Sequence, residues 1–176
     1  PEYKASRKTD RDKNPEYWND VFNIINTVRE EIKENFPYKV VQIHGCEADD
    51  VIAALCEKTQ EFGENEDIMI CSADKDFAQL QKWSNVNQFS TLTKKYIVEK
   101  NPRKFLFEHM CRGDASDGVP KILSDDQIFM RSGERQKTLY QKRIEAWWND
   151  EIEIDEMEFR RFRRNKLMID LAETPD

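Results

Sequence analysis

Apolar residues recur at intervals of three and four along the first part of the chain. Asn14, Pro15 and Glu16 are typical of a helix start, with Asn14 as the N-cap and Pro15 in the first turn. The spacing predicts an amphipathic helix from Pro15 to about Asn35 that ends before Pro37. We interpret its apolar stripe as core packing; the stripe consists of Trp18, Val21, Phe22, Ile25, Val28, Ile32 and Phe36.

Two β-rich runs, at 38–44 and 67–72, flank a second helical pattern. The helix between them opens at Glu47, and its apolar face includes Val51, Ile52 and Cys56. Strand, helix and strand at this spacing predict a βαβ unit with parallel strands and a right-handed crossover. In such a unit, the start of the helix and the end of the second strand lie at the same edge of the sheet.

The rest of the chain contains short elements and becomes helical and basic towards its end. The pattern predicts a short helix at 77–83, strands at 85–90 and 96–99, and a helix from Pro102 that ends at Gly113. A turn-rich loop follows at 113–120, and helical patterns with clustered Lys and Arg cover 137–148 and 155–165. We predict a partial α/β core with a basic N-terminal segment over 1–112 and a helical region over 113–176.

Composition is that of a folded, highly charged protein, with 36% charged residues, 11% aromatic residues and a net charge of −7. Four scattered cysteines and two distant histidines argue against a structural zinc site or a disulfide framework. No apolar run approaches the length of a membrane span, and no secretory signal is present, so we expect a cytoplasmic address and no membrane partner. Basic residues cluster near both ends, so positive patches around an acidic centre can still hold nucleic acid.

Carboxylates concentrate where the predicted fold joins the helix start to the strand end. Each group alone is typical of helix capping or turn chemistry. Together they repel one another unless protons or cations neutralise them. The seven carboxylates expected around this edge are Glu47, Asp49, Asp50, Asp74, Asp76, Asp114 and Asp117.

Oxygen ligands without histidine or cysteine suit a hard divalent cation, Mg²⁺ or Mn²⁺. Two such ions can activate a water molecule, orient a phosphodiester and stabilise the leaving oxygen. Lys4 and Arg7, one helical turn apart, are candidates for steering the phosphate, with a solvated terminus as the alternative interpretation. The sequence therefore predicts a two-metal site for cutting nucleic acid.

Four ordered motifs, at 3–7, 47–50, 72–77 and 113–120, resemble those of the 5′-nuclease superfamily. This is the group of flap endonucleases, bacterial polymerase-associated 5′ exonucleases and phage ribonuclease H. Further similarity to the phage ribonuclease H branch lies between 79 and 86 and at 131–135. The resemblance implies an α/β fold, with a Rossmann-like (PIN-like) parallel sheet core followed by a helix-three-turn-helix DNA-binding region.

The resemblance also implies a role for each motif. Asp49 and Asp74 would hold one metal ion, and Lys4 and Arg7 would contact the scissile region; these four are the implied catalytic residues. The second ion would be held, directly or through water, by Glu47, Asp76, Asp114 and Asp117. The 113–120 loop would grip the duplex through its amides, with a K⁺ ion bound there. The implied DNA contacts are Lys4, Arg7, Lys8, Gly113, Ser116, Gly118, Val119 and Lys121.

The implied activity is that of a metal-dependent, structure-specific 5′-nuclease that removes RNA primers or flaps from DNA during replication. If the protein is encoded by a phage, the implied location is the host cytoplasm. DNA with a 5′ flap and RNA–DNA hybrids are the implied substrates, and a single-strand-binding protein or a sliding clamp are further partners. The family carries strands with metal-binding aspartates before the Tyr3-Lys4 segment, and these are absent here. We therefore expect a fragment, or one part of a split enzyme that a separate N-terminal half completes.

Two other functions are compatible with the residues. The first is a module that binds branched or duplex DNA without cutting it, favoured by the basic helices after Lys121, although Arg160 to Arg164 also fit a solvated face. The second is a phosphatase-like hydrolase that acts on small phosphates. Asp74-x-Asp76 lacks the nucleophile motif that such a phosphatase needs.

Overall fold

The computed structural model describes residues 3–61, 66–131 and 133–174. The helices are α1 (Ala5–Asp12), α2 (Pro15–Asn35), α3 (Ala48–Glu61), α4 (Pro102–Arg112), α5 (Gln141–Trp148) and α6 (Glu156–Ile169). The strands are β1 (Ile68–Cys71), β2 (Val86–Ser90) and β3 (Lys95–Ile97), and 3₁₀-helices lie at Lys75–Lys82, Ile128–Met130 and Leu171–Glu173. No helix in these ranges is both long and apolar enough to cross a membrane.

Local signals determine the helix ends, and those of α2 lie where the sequence predicts, although the Asn14 side chain makes no capping hydrogen bond. α2 begins with Pro15 in its first turn and ends at Asn35, because the next residue is extended ahead of Pro37. α6 begins in a capping box, in which the Asp155 carboxylate accepts from the Glu158 amide at 2.8 Å and Glu158 reaches back to the Asp155 amide. These bounds confirm the two helices, and α6 continues beyond its predicted end.

The sheet is small and mixed, with strand order β1-β2-β3. β1 runs parallel to β2, with Ile68 opposite Val86, and β2 runs antiparallel to β3, with Phe89 opposite Tyr96. The strands predicted at 67–72, 85–90 and 96–99 are confirmed, as is the α/β class. The parallel sheet core that the resemblance implies is present only in the β1–β2 pair; the sheet is mixed because the short turn between β2 and β3 can only join antiparallel neighbours.

The β-rich run at 38–44 forms no strand, so the predicted βαβ unit is wrong in the described structure. Tyr38, Val41 and Ile43 are exposed, although their residue types favour strands. A strand requires a neighbour to receive its backbone hydrogen bonds, and no described segment pairs with this run. β1 therefore has a free edge on the side away from β2.

The apolar stripe of α2 does not pack into the core, which corrects the sequence-based interpretation. None of its described side chains is buried, and Phe22, Ile25 and Val28 are exposed. The periodicity fixes which face of the helix is apolar, but burial needs a second element opposite that face. The described part of the chain provides no such cover.

The core lies elsewhere, in apolar clusters around the sheet and α4. One cluster joins α3 to the sheet through Cys56 and Ile70. Another joins α4 to the chain that follows it, with Met110 packed with Val119 and Ile169. The domain boundary at 112/113 stays a prediction, and these contacts show that α4 shares a core with the helical region.

Candidate metal centre

The first acidic motif lies at the start of α3. The Glu47 amide donates to Asp50 Oδ2 at 2.9 Å, and Asp50 Oδ1 accepts from the Thr174 hydroxyl at 3.1 Å. Both oxygens of the Asp50 carboxylate thus accept hydrogen bonds that stabilise the start of α3 and attach the C-terminal segment to it. Burial, and next the charges of Glu47 and Asp50, raise the pKa of Asp49 above its ordinary value.

Lys4 and Arg7 bring the basic segment onto two acidic motifs. The Lys4 ammonium contacts the Glu47 carboxylate and lies 3.9 Å from Asp117 Oδ2, and the Arg7 guanidinium donates to Asp117 Oδ1. The Lys4 amide also donates to the Asp117 carbonyl at 2.9 Å. We call Lys4, Arg7, Glu47 and Asp117 the Lys4 cluster. Burial lowers the pKa of Lys4, but its hydrogen bonds to Glu47 and Tyr3 outweigh this, so the pKa is raised and Lys4 stays charged.

The second acidic motif is fixed by hydrogen bonds at the end of β1. The Asp76 amide donates to Asp74 Oδ1 at 3.0 Å, which caps the 3₁₀-helix. The fully buried Gln88 on β2 donates to the carbonyls of Ser72 and Asp74 at 3.0 and 2.6 Å. A buried side chain on the neighbouring strand therefore holds Asp74, and the Asp74 carboxylate in turn accepts from the Asp76 amide.

Asp76 and Asp114 meet on opposite sides of a histidine. His109 Nδ1 lies 3.3 Å from Asp76 Oδ1, and His109 Nε2 lies 3.3 Å from Asp114 Oδ2. One ligand atom from each of the three residues lies within 4.8 Å of the others. Lys75 donates to Asp114 Oδ2 at 2.8 Å from the other side. We call Asp76, His109, Asp114 and Lys75 the His109 cluster.

The two carboxylates of this cluster have opposite electrostatic environments. Burial, and next the charge of Asp74, raise the pKa of Asp76 to about 6. Burial also acts to raise the pKa of Asp114, but hydrogen bonds from Lys75 and Ser116 outweigh it and hold that pKa well below its usual range. Burial, and next the positive charge of Lys75, lower the pKa of His109. Asp114 is therefore ionised and His109 is neutral at pH 7.

The 113–120 loop is folded onto itself. The Gly113 amide donates to the His109 carbonyl at 2.8 Å, and the Gly118 amide donates to the Ala115 carbonyl at 3.3 Å. The other two bonds go to Asp114: the Ser116 amide donates to its Oδ1 at 2.9 Å, and the Val119 amide donates to its carbonyl at 2.7 Å. Gly113 has a φ of +64°, and a Cβ there would lie 2.3 Å from the Val119 carbonyl oxygen, so glycine is required. The loop amides implied to grip a duplex thus already donate within the chain, and a DNA-binding role for this loop stays a prediction.

The two clusters contain most of the residues implied to act in catalysis or metal binding, namely Lys4, Arg7, Glu47, Asp76, Asp114 and Asp117. Asp49 and Asp74 flank them, since the charges of Glu47 and Lys4 act on Asp49 and the charge of Asp74 acts on Asp76. Lys8 is exposed, and the Lys121 amide donates to Gln136 Oε1 at 2.8 Å.

Sequence reasoning missed His109 and Lys75. The sequence shows His109 only as an isolated histidine in an apolar helix, and nothing in its spacing marks it as facing two aspartates. Lys75 stands inside the second motif, but its pairing with Asp114 depends on how the loop after α4 folds back. Neither contact has a local signal.

The residues present fit a divalent cation. The described clusters supply carboxylate oxygens, and Asp76 Oδ1 is buried without a hydrogen-bond donor. A raised carboxylate pKa beside other carboxylates marks a place where a cation would relieve repulsion. Acid-lined sheet edges with oxygen ligands suit Mg²⁺ and Mn²⁺.

Comparison with known proteins gives consistent matches. The sequence profile of the 5′-3′ exonuclease, N-terminal resolvase-like domain matches residues 1–106. Ribonuclease H of Enterobacteria phage T4 is 33% identical over 182 residues, covering 99% of this chain and 59% of the relative. The chain thus spans about three-fifths of the length of that relative.

Solved structures of bacteriophage T5 proteins share the fold. A T5 protein co-crystallised with metal ions matches 97% of this chain and 69% of its own, with a TM-score of 0.65 and 22% identity. A T5 flap endonuclease complex with DNA and metal ions matches 97% of this chain and 67% of its own, with a TM-score of 0.63 and 21% identity.

Proposed function

The chain belongs to the 5′-3′ exonuclease N-terminal resolvase-like domain family, and we propose that it is the catalytic portion of a metal-dependent, structure-specific 5′-nuclease. Its substrates would be DNA with a 5′ flap and RNA primers paired to DNA. One observation carries the proposal: four separate segments, at Lys4, Glu47, Asp76 and Asp114, meet through direct side-chain contacts. A core-packing role does not explain why these contacts join charged groups.

The acidic residues would hold two divalent ions. Asp49 and Asp74 are assigned to one ion, and the other is assigned to Glu47, Asp76, Asp114 and Asp117. Bound ions would supply an activated water molecule and stabilise the charge on the leaving oxygen. The carboxylates would orient the ions. Hydrogen bonds from backbone amides, such as that from Asp76 to the Asp74 carboxylate, hold the carboxylates in position.

Lys4 and Arg7 would bind the phosphate at the scissile bond. Both are held near the acids by ion pairs, and Arg7 remains half exposed. A cationic side chain can exchange an internal carboxylate for a phosphate of equal charge with little change in desolvation. Outside the centre, Lys8 and Lys121 would meet the DNA backbone through their ammonium groups, since the loop amides already donate within the chain.

A helix-three-turn-helix role and a loop K⁺ ion for the region after Gly113 stay part of this proposal. The helical region would position duplex DNA, and the 113–120 loop would turn it towards the centre. The T5 flap endonuclease of the same fold was crystallised with DNA and metal ions. That complex supports a DNA substrate for this chain.

The exposed apolar surfaces favour a polypeptide partner, the separate N-terminal half. Among the described residues, β1 has a free edge and the run at 38–44 is unpaired, and α2 exposes Phe22, Ile25 and Val28. Extra strands would satisfy the edge and the unpaired run together and cover the helix. We assign these surfaces to a partner that supplies strands and further carboxylates to the centre.

A cleavage assay tests the proposal. A labelled 5′-flap duplex and an RNA–DNA hybrid are incubated with the protein and Mg²⁺ or Mn²⁺, alone and co-expressed with the N-terminal portion of phage T4 ribonuclease H. We expect cleavage that depends on the added portion and that EDTA abolishes. The Asp74→Asn variant should not cleave, whereas Asp10→Asn should cleave as the wild type does. Absence of cleavage under every condition contradicts the proposal.

A non-cleaving DNA-binding module is the second candidate, and a group of arginines on α6 favours it. Arg160, Arg161 and Arg164 converge on the single carboxylate of Asp126, which leaves an excess of positive charge. Arg164 also donates to the Pro120 carbonyl at 2.9 Å, so part of this group holds the loop in place. Salt-dependent duplex binding that Asp74→Asn leaves unchanged, without cleavage, would favour this candidate.

A further inference from the structure

His109 is the most deeply buried ionisable side chain in the His109 cluster. It is 7% exposed, lies on α4, and has a carboxylate at 3.3 Å from each ring nitrogen. Its Nδ1 and the facing Asp76 Oδ1 are both buried without a hydrogen-bond partner among the described residues. A buried polar pair that makes no hydrogen bond requires a physical reason.

The hydrogen bonds around Asp114 show why this pair is unusual. Lys75 Nζ and the Ser116 amide donate to the Asp114 carboxylate, which can only accept, and His109 Nε2 lies 3.3 Å from its Oδ2; the tautomer with the proton on Nε2 fits this contact. His109 Nδ1 then presents a lone pair towards the Asp76 carboxylate. Two acceptors that face each other across 3.3 Å in a buried place repel unless a cation lies between them.

We propose that His109 Nδ1 and the Asp76 carboxylate bind a nitrogen-tolerant divalent ion, Mn²⁺, Co²⁺ or Zn²⁺, with Asp114 orienting the ring from Nε2. This inference rests on the proposed function and deepens it, because it identifies the class of metal at one of the two ion positions. Histidines that bind metals commonly donate their other ring N–H to a carboxylate, and His109 Nε2 lies 3.3 Å from Asp114 Oδ2, where such a bond would form. Asp114 therefore acts at this position through His109, whereas the resemblance implies that it holds the ion directly or through water.

The nitrogen ligand sets the metal preference. Mg²⁺ favours oxygen ligands and water, whereas imidazole suits Mn²⁺, Co²⁺ and Zn²⁺. A purely carboxylate centre would bind Mg²⁺ and Mn²⁺ through the same donors. The His109 cluster should therefore discriminate against Mg²⁺, and removal of the imidazole should reduce that discrimination.

Pulsed electron paramagnetic resonance of bound Mn²⁺ provides a readout that is independent of cleavage. The chain has two histidines, and the other, His44, is exposed, so His44→Gln is a matched control. We expect ¹⁴N modulation of the Mn²⁺ echo in the wild type and in His44→Gln. When the histidines are labelled with ¹⁵N, a ¹⁵N modulation pattern should replace it. The modulation should be absent in His109→Gln.

Calorimetry separates the possible outcomes. His109→Gln should weaken Mn²⁺ binding about tenfold or more while changing Mg²⁺ binding much less, and circular dichroism checks that the variant is folded. If the variant is unfolded, the His44→Gln echo alone decides, because His109 is then the one imidazole in the chain. Mn²⁺ that binds the wild type without ¹⁴N modulation overturns this inference and leaves the proposed nuclease intact. A protein that binds no divalent ion contradicts both.

Discussion

The Lys4 cluster and the His109 cluster neutralise their charges in different ways. In the Lys4 cluster, two cationic side chains from α1 and its N-terminal flank face the carboxylates of Glu47 and Asp117. In the His109 cluster, Lys75 pairs with Asp114, while Asp76 faces a neutral imidazole and forms no ion pair with a Lys or Arg in the described part of the chain. The first cluster is balanced by the chain, and the second lacks positive charge. Under the proposed function, a metal ion would bind at the His109 cluster, and a phosphate would exchange with an ion pair of the Lys4 cluster.

Removal of the Asp76 charge breaks this comparison most strongly. Asp76→Asn deletes the carboxylate that has no cationic partner, so we expect metal-dependent flap cleavage by the complemented protein to fall by about 100-fold or more. Single-turnover rates at saturating Mn²⁺ measure the effect. Asp10→Asn is the control, because Asp10 is exposed and its one ion pair in the described ranges is with Lys13. A rate for Asp76→Asn within a factor of a few of the wild type contradicts a metal role for Asp76.

The Lys4 cluster is tested by Lys4→Met, which removes the cation shared by Glu47 and Asp117. We expect cleavage to fall about tenfold to 100-fold, less than for Asp76→Asn, because Arg7 still pairs with Asp117 and can meet the phosphate. Lys13→Met is the matched control on an exposed ion pair. If Lys4→Met cleaves at the wild-type rate, Lys4 only attaches α1 to the loop.

Lys75→Met sharpens the contrast in charge between the clusters. The substitution removes a positive charge next to the cation position, so we expect Mn²⁺ to bind several-fold more tightly in calorimetry. Lys58→Met, at an exposed position on α3, should leave Mn²⁺ binding unchanged. Weaker Mn²⁺ binding in Lys75→Met would mean that the Lys75–Asp114 ion pair positions the site more than its charge opposes the ion.

The smallest expected effect is on the stability of the metal-free protein. The folded-state pKa of Asp76 is raised to about 6, so ionisation of Asp76 costs the folded state free energy as pH rises from about 4 to about 6. Above that window, Asp76→Asn should unfold a few degrees higher than the wild type, at roughly 2–4 °C per kcal/mol. Thermal unfolding between pH 4 and pH 7.5 measures the difference. The difference should vanish at the acid end, and a constant difference at all pH values would exclude the charge as its cause.

Local chemistry made the helix ends and the acidic motifs predictable. Pro15, Pro37 and the Asp155–Glu158 capping box act within a few residues of the chain, and the structure follows them. The meeting of Glu47 with Asp117 through Lys4 agrees with the predicted convergence of motifs. These features depend on residue type and spacing, which the sequence records directly.

Features that depend on a distant partner were not predictable. The α2 stripe and the 38–44 run have the right pattern for burial, but no described element covers them. His109 contacts two carboxylates only because the 113–120 loop folds back and places Asp114 beside α4, with Asp76 at the other ring nitrogen. Periodicity reports the preference of one segment, and a site between segments requires the tertiary arrangement.

A crystal of the wild-type protein soaked in Mn²⁺ at pH 7.5 tests the central claim most directly. If the acidic centre is a metal centre, the anomalous difference map should contain a peak beside Asp76, absent in an Asp76→Asn crystal soaked in the same way. A map without an anomalous peak at either cluster would contradict the metal-dependent nuclease and leave the chain as a binding module.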